Sequence, residues 1–308
     1  MNIQSLSVVV PTKNKCVNNC KFCVSRTHTN PYCDRISQVV SHYHLQPITI
    51  KDTIEYRDYF NRLQYARDNG CNVAILTGTG EPIQNPKFID FFFEINSTLS
   101  TPFKSVEIQT TGVLLDEDVI SHLRQIGVTT ISFSISNIFD NDRNLDIIGC
   151  HPNLRFDLVE TIKLVKKYDF NLRLSLNLII DYDNYMVDQV IDRCKELGAD
   201  QVTFRKLYKS DLNNEIDKWI ENNASEIFYV DLIKYVKSNG KFLGVLPFGP
   251  SIYNIEEMAI VVDDNCMSVL MSDINNVVDV PRDTYKYLIL RENAKLYSHW
   301  ETKSSLIF

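Results

Sequence analysis

The sequence predicts an α/β protein built from six strand–helix units that follow one another along the chain. Two observations predict this class. Short apolar runs alternate with amphipathic stretches of helical period, and most of the loops between them contain only a few residues. Strands that alternate with helices pair in parallel and carry the helices outside. Six units suit an open (β/α)6 partial TIM-type barrel; a doubly wound open sheet is the alternative that the count does not exclude.

Local signals place the elements in order along the chain. The acidic side chain of Asp116 suits the start of a helix, and Gly198 is a natural helix stop. The predicted strands are residues 5–11, 73–77, 105–111, 128–136, 172–180 and 201–207. The predicted helices are residues 54–69, 88–99, 116–126, 156–168 and 186–197, with helical material from 215 to 238.

Four successive strands carry polar side chains on one face, which predicts a hydrated or ligand-filled interior. A parallel strand buried on both faces reads as a continuous apolar run, and a closed barrel fills its interior with apolar layers. Here leucines alternate with polar residues along the fifth strand, and the neighbouring strands repeat the pattern. The alternative is an amphipathic sheet with one wet face. The polar positions are Glu107, Gln109, Thr111, Ser132, Ser134, Ser136, Arg173, Ser175, Asn177, Thr203 and Arg205.

Composition is that of an ordinary globular protein. The chain has 308 residues, 44% hydrophobic and 23% charged, with a net charge of −7 that argues mildly against broad nucleic-acid binding. No apolar run approaches the ~20 residues that cross a membrane, and the N-terminus lacks the basic region of a signal peptide. The eight cysteines show no regular disulfide spacing outside one triplet, so we expect a cytoplasmic protein in a reducing compartment.

That triplet is Cys16, Cys20 and Cys23, spaced C-x3-C-x2-C just after the first strand. Three thiolates at this spacing can hold three irons of a [4Fe–4S] cluster and leave the fourth iron open for a substrate or cosubstrate. A zinc site is the alternative, although structural zinc usually takes four ligands. We therefore expect these cysteines to be metal ligands.

A glycine-rich turn follows the second strand as Gly78-Thr79-Gly80-Glu81-Pro82. Glycine lets the backbone approach a ligand closely, and either Glu81 or the neighbouring carbonyls could meet an ammonium group. Alone, such a turn is often only a tight loop.

Together, the cysteine triplet and the glycine turn resemble the radical S-adenosylmethionine (SAM) superfamily. Its members carry C-x3-C-x2-C after the first strand and a G-G-E-P-like motif after the second, which Thr79 and Gly80 vary mildly. Phe22 matches the aromatic residue common before the third cysteine. The resemblance implies an open partial barrel, a [4Fe–4S] cluster, SAM at the 78–82 turn, oxygen sensitivity, and an electron donor such as flavodoxin or ferredoxin.

The family mechanism implies that the reduced cluster cleaves SAM to methionine and a 5′-deoxyadenosyl radical, which abstracts hydrogen from the substrate. Strands four and five commonly hold the SAM ribose and carboxylate in the family. By position, Ser134 and Asn177 are the best candidates, followed by Ser136 and Arg205, with Thr111 near the same rim. The residues name no substrate acid or base, and Arg205 suits a carboxylate or phosphate, the SAM carboxylate, or an ion pair with Glu107.

After about residue 240 the pattern becomes strand-rich, and we predict a β-rich cap over residues 241–308 beside a barrel over 1–240. Its expected strands are residues 241–246, 259–262, 266–271, 285–290 and 295–300, with a turn-rich hinge at 248–253 and hairpin turns at 263–265 and 292–294. Arg282, Arg291 or Trp300 could contribute to substrate binding.

The cap contains a single cysteine, Cys266, so a second four-cysteine cluster is not expected. This favours a small-molecule or nucleotide substrate. A peptide- or protein-modifying maturase and a non-enzymatic iron–sulfur or zinc protein remain alternatives. A long connection after Cys23 holds Cys33, His28, His42 and His44, whose part in function the sequence leaves open.

Overall fold

The computed structural model of the chain describes residues 2–12, 16–27, 54–210, 212–245, 250–263, 284–300 and 305–308. The strands are β1 Asn2–Val9, β2 Val73–Thr77, β3 Ser105–Thr110, β4 Thr130–Ile135, β5 Asn171–Asn177, β6 Gln201–Arg205, β7 Lys241–Val245, β8 Ser251–Ile255, β9 Met258–Asp263, β10 Thr284–Leu290 and β11 Leu296–Tyr297. The helices are α1 Val24–Thr27, α2 Ile54–Asp68, α3 Pro86–Thr98, α4 Glu117–Ile126, α5 Asn141–Ile147, α6 Leu158–Lys167, α7 Val187–Glu196, α8 Glu215–Asn223 and α9 Ile227–Asn239.

The described strands form one sheet in the order β11-β10-β1-β2-β3-β4-β5-β6-β9-β8-β7. The first six strands are neighbours in chain order, and each pair is parallel. This confirms the predicted α/β class with a mostly parallel, open sheet. No helix in the described ranges is both long enough and apolar enough to cross a membrane.

The strands after residue 240 extend this sheet, so a separate cap is not confirmed. β9 pairs in parallel with β6, and β10 pairs in parallel with β1 on the opposite side. β7 and β8 continue beyond β9 in antiparallel fashion, and β11 pairs antiparallel with β10. The C-terminal residues therefore supply the outer neighbours of both β1 and β6. Without them, both edges of the parallel sheet would expose unpaired backbone groups.

One sequence prediction was wrong. The 248–253 hinge was expected to be turn-rich, but residues 251–255 form β8, which returns to β9 through Glu256 and Glu257 at φ values of 48° and 69°. Neither residue is the Asn or Gly that usually marks such a turn. The helical material predicted from 215 to 238 is present as α8 and α9, and between them the Ser225 amide donates to the Leu178 carbonyl at 3.2 Å.

Other predictions lie outside the described residues. These are the strand at 266–271, most of the turn at 263–265, Arg282, and the loop that holds Cys33, His28, His42 and His44. In the opposite direction, helix α5 was not predicted and is present.

The apolar residues of the central strands pack beneath the helices, as the alternation predicts. Leu172, Leu174 and Leu176 of β5 are fully buried, as are Val202 and Phe204 of β6. They belong to one continuous hydrophobic core. The intervening side chains therefore lie on the opposite face of the sheet.

At the amino ends of the strands, that polar face is closed by a charged network. Arg173 pairs with Glu107 and also donates to Gln201 Oε1 at 2.6 and 2.9 Å. The Glu107 side chain is 3% exposed, so its charge is stabilised chiefly by this guanidinium. An ion pair with Glu107, one of the three roles left open for Arg205, is thus made by Arg173 instead.

Arg173→Met should lower the free energy of unfolding by about 2–3 kcal/mol, because it leaves the Glu107 carboxylate buried without its cation. Urea denaturation measures the loss. The double variant Glu107→Gln/Arg173→Met should recover at least half of it, since no charge is then left unpaired. Lys163→Met, which breaks an exposed pair with Glu160, is the control and should change stability little. If Lys163→Met lowered the free energy of unfolding as much as Arg173→Met does, this assignment would be contradicted.

Candidate functional site

The site begins with the thiol loop, residues 16–23, which follows the carboxyl end of β1. Its backbone is bonded to the end of α5: the Asn19 amide donates to the Ile148 carbonyl at 3.0 Å, and the Lys21 amide donates to the Ile147 carbonyl at 3.0 Å. Gly149 permits this approach. It adopts φ +60°, and a Cβ there would lie 2.6 Å from the Asn19 carbonyl oxygen. The thiol loop is therefore held in position by backbone contacts with a helix that no motif announces.

The three cysteines of the thiol loop are unpaired and half-buried. Burial raises the pKa of Cys16, and it raises the pKa of Cys20 more strongly, with further contributions from the neighbouring cysteines and Glu81. Arg26 partly opposes this effect and donates to the Cys20 carbonyl. Three thiolates on one loop repel one another, so binding a shared metal group would stabilise their ionised form. Among the described residues, no group of three or more His, Cys, Asp or Glu side chains is arranged so that it could hold a single metal ion.

The donor set nevertheless fits an iron–sulfur cluster. The thiols are free of disulfides, come from one short segment, and influence one another's ionisation. Cysteine thiolate is the usual ligand of such clusters.

The glycine turn packs directly against the chain as it leaves β1. A Cβ on Gly78 would lie 2.8 Å from the Val10 carbonyl oxygen, and one on Gly80 would lie 2.8 Å from Thr12 side-chain atoms. Ser25 joins the turn to the thiol loop, because its hydroxyl donates to the Thr79 carbonyl at 3.1 Å and lies 3.0 Å from Cys23 Sγ. The two sequence motifs are therefore in contact through one hydroxyl group.

Glu81 lies inside this assembly. Its carboxylate is 3% exposed and accepts hydrogen bonds from the amide and hydroxyl of Thr111, both at 3.1 Å, and from the Ile83 amide at 3.5 Å. Burial raises the pKa of Glu81 to about 7, and these hydrogen bonds oppose the rise. Both carboxylate oxygens are thus engaged within the protein, which leaves the turn's backbone as the part available to a ligand.

Thr111 connects Glu81 to the thiol loop. Its hydroxyl also accepts from the side-chain amide of Asn18 at 2.8 Å, and the Val17 amide donates to Gln84 Oε1 at 3.0 Å. The loops after β1, β2 and β3 are therefore joined by side-chain hydrogen bonds. Sequence reasoning identified Thr111 but missed Asn18 and Ser25, whose roles depend on contacts distant in the chain.

Ser134 and Asn177 lie on adjacent strands and touch. The Asn177 amide donates to the Ser134 hydroxyl at 3.2 Å and to the Ile135 carbonyl at 3.3 Å. Ser136 follows on the same rim, where its amide donates to Asn144 Oδ1 of α5 at 2.8 Å. The structure brings these predicted residues together at the carboxyl ends of β4 and β5.

Three buried polar atoms at the rim have no hydrogen-bond partner among the residues that the structure describes. They are Asn18 Oδ1 in the thiol loop, Ser136 Oγ after β4, and Arg205 Nε at the end of β6. Buried polar groups are normally satisfied by protein, water or ligand. These orphaned atoms fit a polar ligand bound at this end of the sheet.

Phe22 does not stand alone beside the cysteines. Its ring packs on Trp219 of α8, with centroids 6.0 Å apart and planes inclined by 34°. The contact ties the loop after β1 to the segment after β6. Trp219 was not among the sequence candidates, because a tryptophan in an amphipathic helix has no distinguishing pattern.

The Radical SAM superfamily model matches residues 10–185, more than half of the chain. SuiB of Streptococcus suis bound to S-adenosylmethionine superposes with a TM-score of 0.59 at 15% identity, over 99% of this chain and 63% of that one. SuiB bound to precursor peptide SuiA gives 0.55 at 16% identity, over 96% and 59%. Coproporphyrinogen III oxidase (HemN) of Escherichia coli, a radical SAM enzyme, gives 0.50 at 12% identity, over 79% and 54%. Identities this low show a shared fold, and the chain spans about three fifths of each SuiB structure's length.

Gly149→Ala should release the thiol loop, because the added methyl group collides with the Asn19 carbonyl. We expect iodoacetamide to label Cys20 of the metal-free protein at least about tenfold faster, as measured by peptide mass spectrometry, since ~1.4 kcal/mol of lost docking is a factor of ten in the open population. Gly198→Ala is the matched control. It has a similar φ of +78°, but its Cβ would meet only the Lys166 side chain at 3.6 Å. Equal labelling in the two variants would contradict the docking role of Gly149.

Proposed function

Because the chain belongs to the radical SAM superfamily, we propose that it is an enzyme that binds a [4Fe–4S] cluster and SAM and abstracts hydrogen from a substrate. The observation that carries the proposal is a loop of three free thiols that Ser25 joins to a glycine turn through Cys23, beside a rim of unsatisfied polar atoms. Bound and reduced, the cluster would supply the electron that cleaves SAM to methionine and the hydrogen-abstracting 5′-deoxyadenosyl radical.

In this proposal Cys16, Cys20 and Cys23 hold the metal group, and this chain's other residues fix their positions. The α5 backbone and Gly149 set the path of the thiol loop. Ser25 lies against Cys23 and joins it to the glycine turn through the Thr79 carbonyl.

The backbone of Gly78, Thr79 and Gly80 is the proposed site for the SAM ammonium group. The internal engagement of Glu81 supports this choice, because it leaves backbone carbonyls rather than the carboxylate to accept hydrogen bonds. Glu81 then acts as a positioning residue for the turn.

Ser134 and Asn177 are proposed to bind the polar ribose or carboxylate of SAM, with Ser136 and Thr111 beside them. Their support is placement at the strand ends where sites of barrel-type enzymes lie, together with the partnerless Ser136 hydroxyl. Phe22, packed on Trp219, would border the bound adenosine and limit access of water.

For the substrate we favour a small molecule or nucleotide. The sequence after residue 240 contains one cysteine, Cys266, and therefore lacks the ligands of a second four-cysteine cluster. A peptide substrate is the second candidate, favoured by the likeness to SuiB bound to its precursor peptide. Reduction would come from an electron donor such as flavodoxin or ferredoxin. A non-enzymatic metal protein is the third possibility, and it predicts no SAM cleavage.

Anaerobic reconstitution should give a brown, oxygen-sensitive protein with about four irons per chain. Reduced with dithionite, it should convert SAM to 5′-deoxyadenosine and methionine even without substrate. Replacing Cys16, Cys20 and Cys23 together by Ala should abolish both, whereas Cys71→Ala, a buried cysteine away from the motif, should retain both. Iron assay and chromatography measure the results. Zinc uptake without iron would overturn the proposal.

Asn177→Ala should weaken SAM binding about five- to thirtyfold, because one or two hydrogen bonds worth ~1 kcal/mol each are lost. Equilibrium dialysis of the reconstituted protein measures the affinity, and iron content should be unchanged. Asn171→Ala is the matched control, since Asn171 is an exposed asparagine at the opposite end of the same strand. Unaltered SAM affinity in Asn177→Ala would remove this residue from the SAM site.

A further inference from the structure

Arg205 is the last residue of β6 and lies on the polar face of the sheet. It follows Gln201 and Thr203 in the alternation, whereas Val202 and Phe204 are fully buried on the helix side. Its Cα is in register with Asn177 of β5 and with Asp263 of β9. The guanidinium therefore belongs to the rim that carries the other candidate ligand-binding residues.

The polar face carries a second cation, Arg173, whose surroundings differ. Arg173 is neutralised by Glu107 and bonded to Gln201. No carboxylate among the described side chains pairs with Arg205, and its half-buried side chain has a buried Nε without a hydrogen-bond partner. The adjacent Asn177 amide donates to Ser134 and Ile135 rather than to an acceptor shared with Arg205.

A cation kept partly out of water without a counter-charge is costly. An oxyanion would remove that cost, because a guanidinium offers paired donors that match a carboxylate or phosphate. Arg205 is thus arranged for an anionic ligand.

The position of β6 separates this cation from the cysteine and glycine motifs. Those motifs follow β1 and β2, and the sheet order puts β6 four strands beyond β2. At about 4.8 Å per strand, the separation is about 19 Å measured along the sheet. This distance favours a group of the second reactant over the SAM ammonium group held at the glycine turn, and the SAM measurements below separate it from the SAM carboxylate proposed near Asn177.

We infer that Arg205 binds a carboxylate or phosphate group of the substrate, and that the substrate is therefore an anion. The inference rests on the proposed function, because it assigns the bound anion to the molecule that gives up hydrogen. It applies equally to an anionic metabolite, a nucleotide and an acidic peptide side chain or terminus, which share this chemistry.

Thermal unfolding of the reconstituted protein tests the inference with sodium phosphate and sodium succinate as probes, at ionic strength held constant with sodium chloride. At least one probe should raise the melting temperature of the wild type, and the effective one identifies the anion class. Arg205→Met should abolish that rise, and Arg205→Lys should weaken anion binding about tenfold because a point charge cannot make the bidentate contact. Arg155→Met, which alters a surface arginine paired with Asp142 and Asp146, should keep the rise.

The melting temperature without added anion gives a second readout. Arg205→Met should leave it unchanged or raise it, because an unpaired charge is removed. A fall that Asp263→Asn reproduces would assign Arg205 to a structural ion pair and overturn the inference. Failure of Arg205→Met to fold would likewise indicate a structural role and overturn the inference. Independently, if Arg205→Lys kept the full anion-dependent rise in melting temperature, bidentate binding would be rejected.

SAM measurements distinguish this inference from the proposed function. Arg205→Met should retain SAM affinity and the rate of substrate-independent 5′-deoxyadenosine release within about threefold. Loss of SAM binding would assign Arg205 to SAM and overturn the inference while leaving the proposed function intact. No SAM cleavage by the wild type would overturn the proposed function. No anion-dependent stabilisation of the wild type would overturn the inference alone.

Discussion

The buried carboxylate of Glu81 is the interaction on which the site's geometry depends. An acid at 3% exposure is costly unless its oxygens are hydrogen-bonded, and the donors here come from Thr111 after β3 and Ile83 after β2. Thr111 in turn accepts from Asn18 after β1. Because the acid is stable only while all of these donors surround it, the three loops hold one arrangement together.

The two halves of the site differ in how completely they satisfy their own polar groups. In the loops after the first three strands, Thr111 bonds to Glu81 and Ser25 bonds to the Thr79 carbonyl, although Asn18 Oδ1 lacks a partner among the described residues. Around β4 and β6, Ser136 Oγ and Arg205 Nε have no partner among the described residues. This difference is expected of a site in which the part around the first three strands holds a resident group and the part around β4 and β6 binds and releases ligands.

Features that depend on local spacing could be predicted from the sequence, whereas features that depend on contacts between distant segments could not. Alternation along single strands identified β5 and the polar face, since it needs only local spacing. β8 was missed because Glu256 and Glu257 form its turn without Asn or Gly. In the site, the motifs were recognisable, but Gly149 and Trp219 act through contacts between distant segments. The choice of Arg173 over Arg205 as partner of Glu107 depends on register, which residue type does not reveal.

The pairing of β9 with β6 and β10 with β1 has a consequence for synthesis on the ribosome. β1 is made early, yet its outer neighbour is made only after residue 284, and β6 likewise waits for residues 258–263. Until then, a nascent six-stranded unit has two unpaired parallel edges, a state prone to wrong association. Slow closure is expected of such non-local pairing. Both edges of the parallel sheet are therefore protected only once β10 has been synthesised, although the segments hydrogen-bonded to the thiol loop are made much earlier.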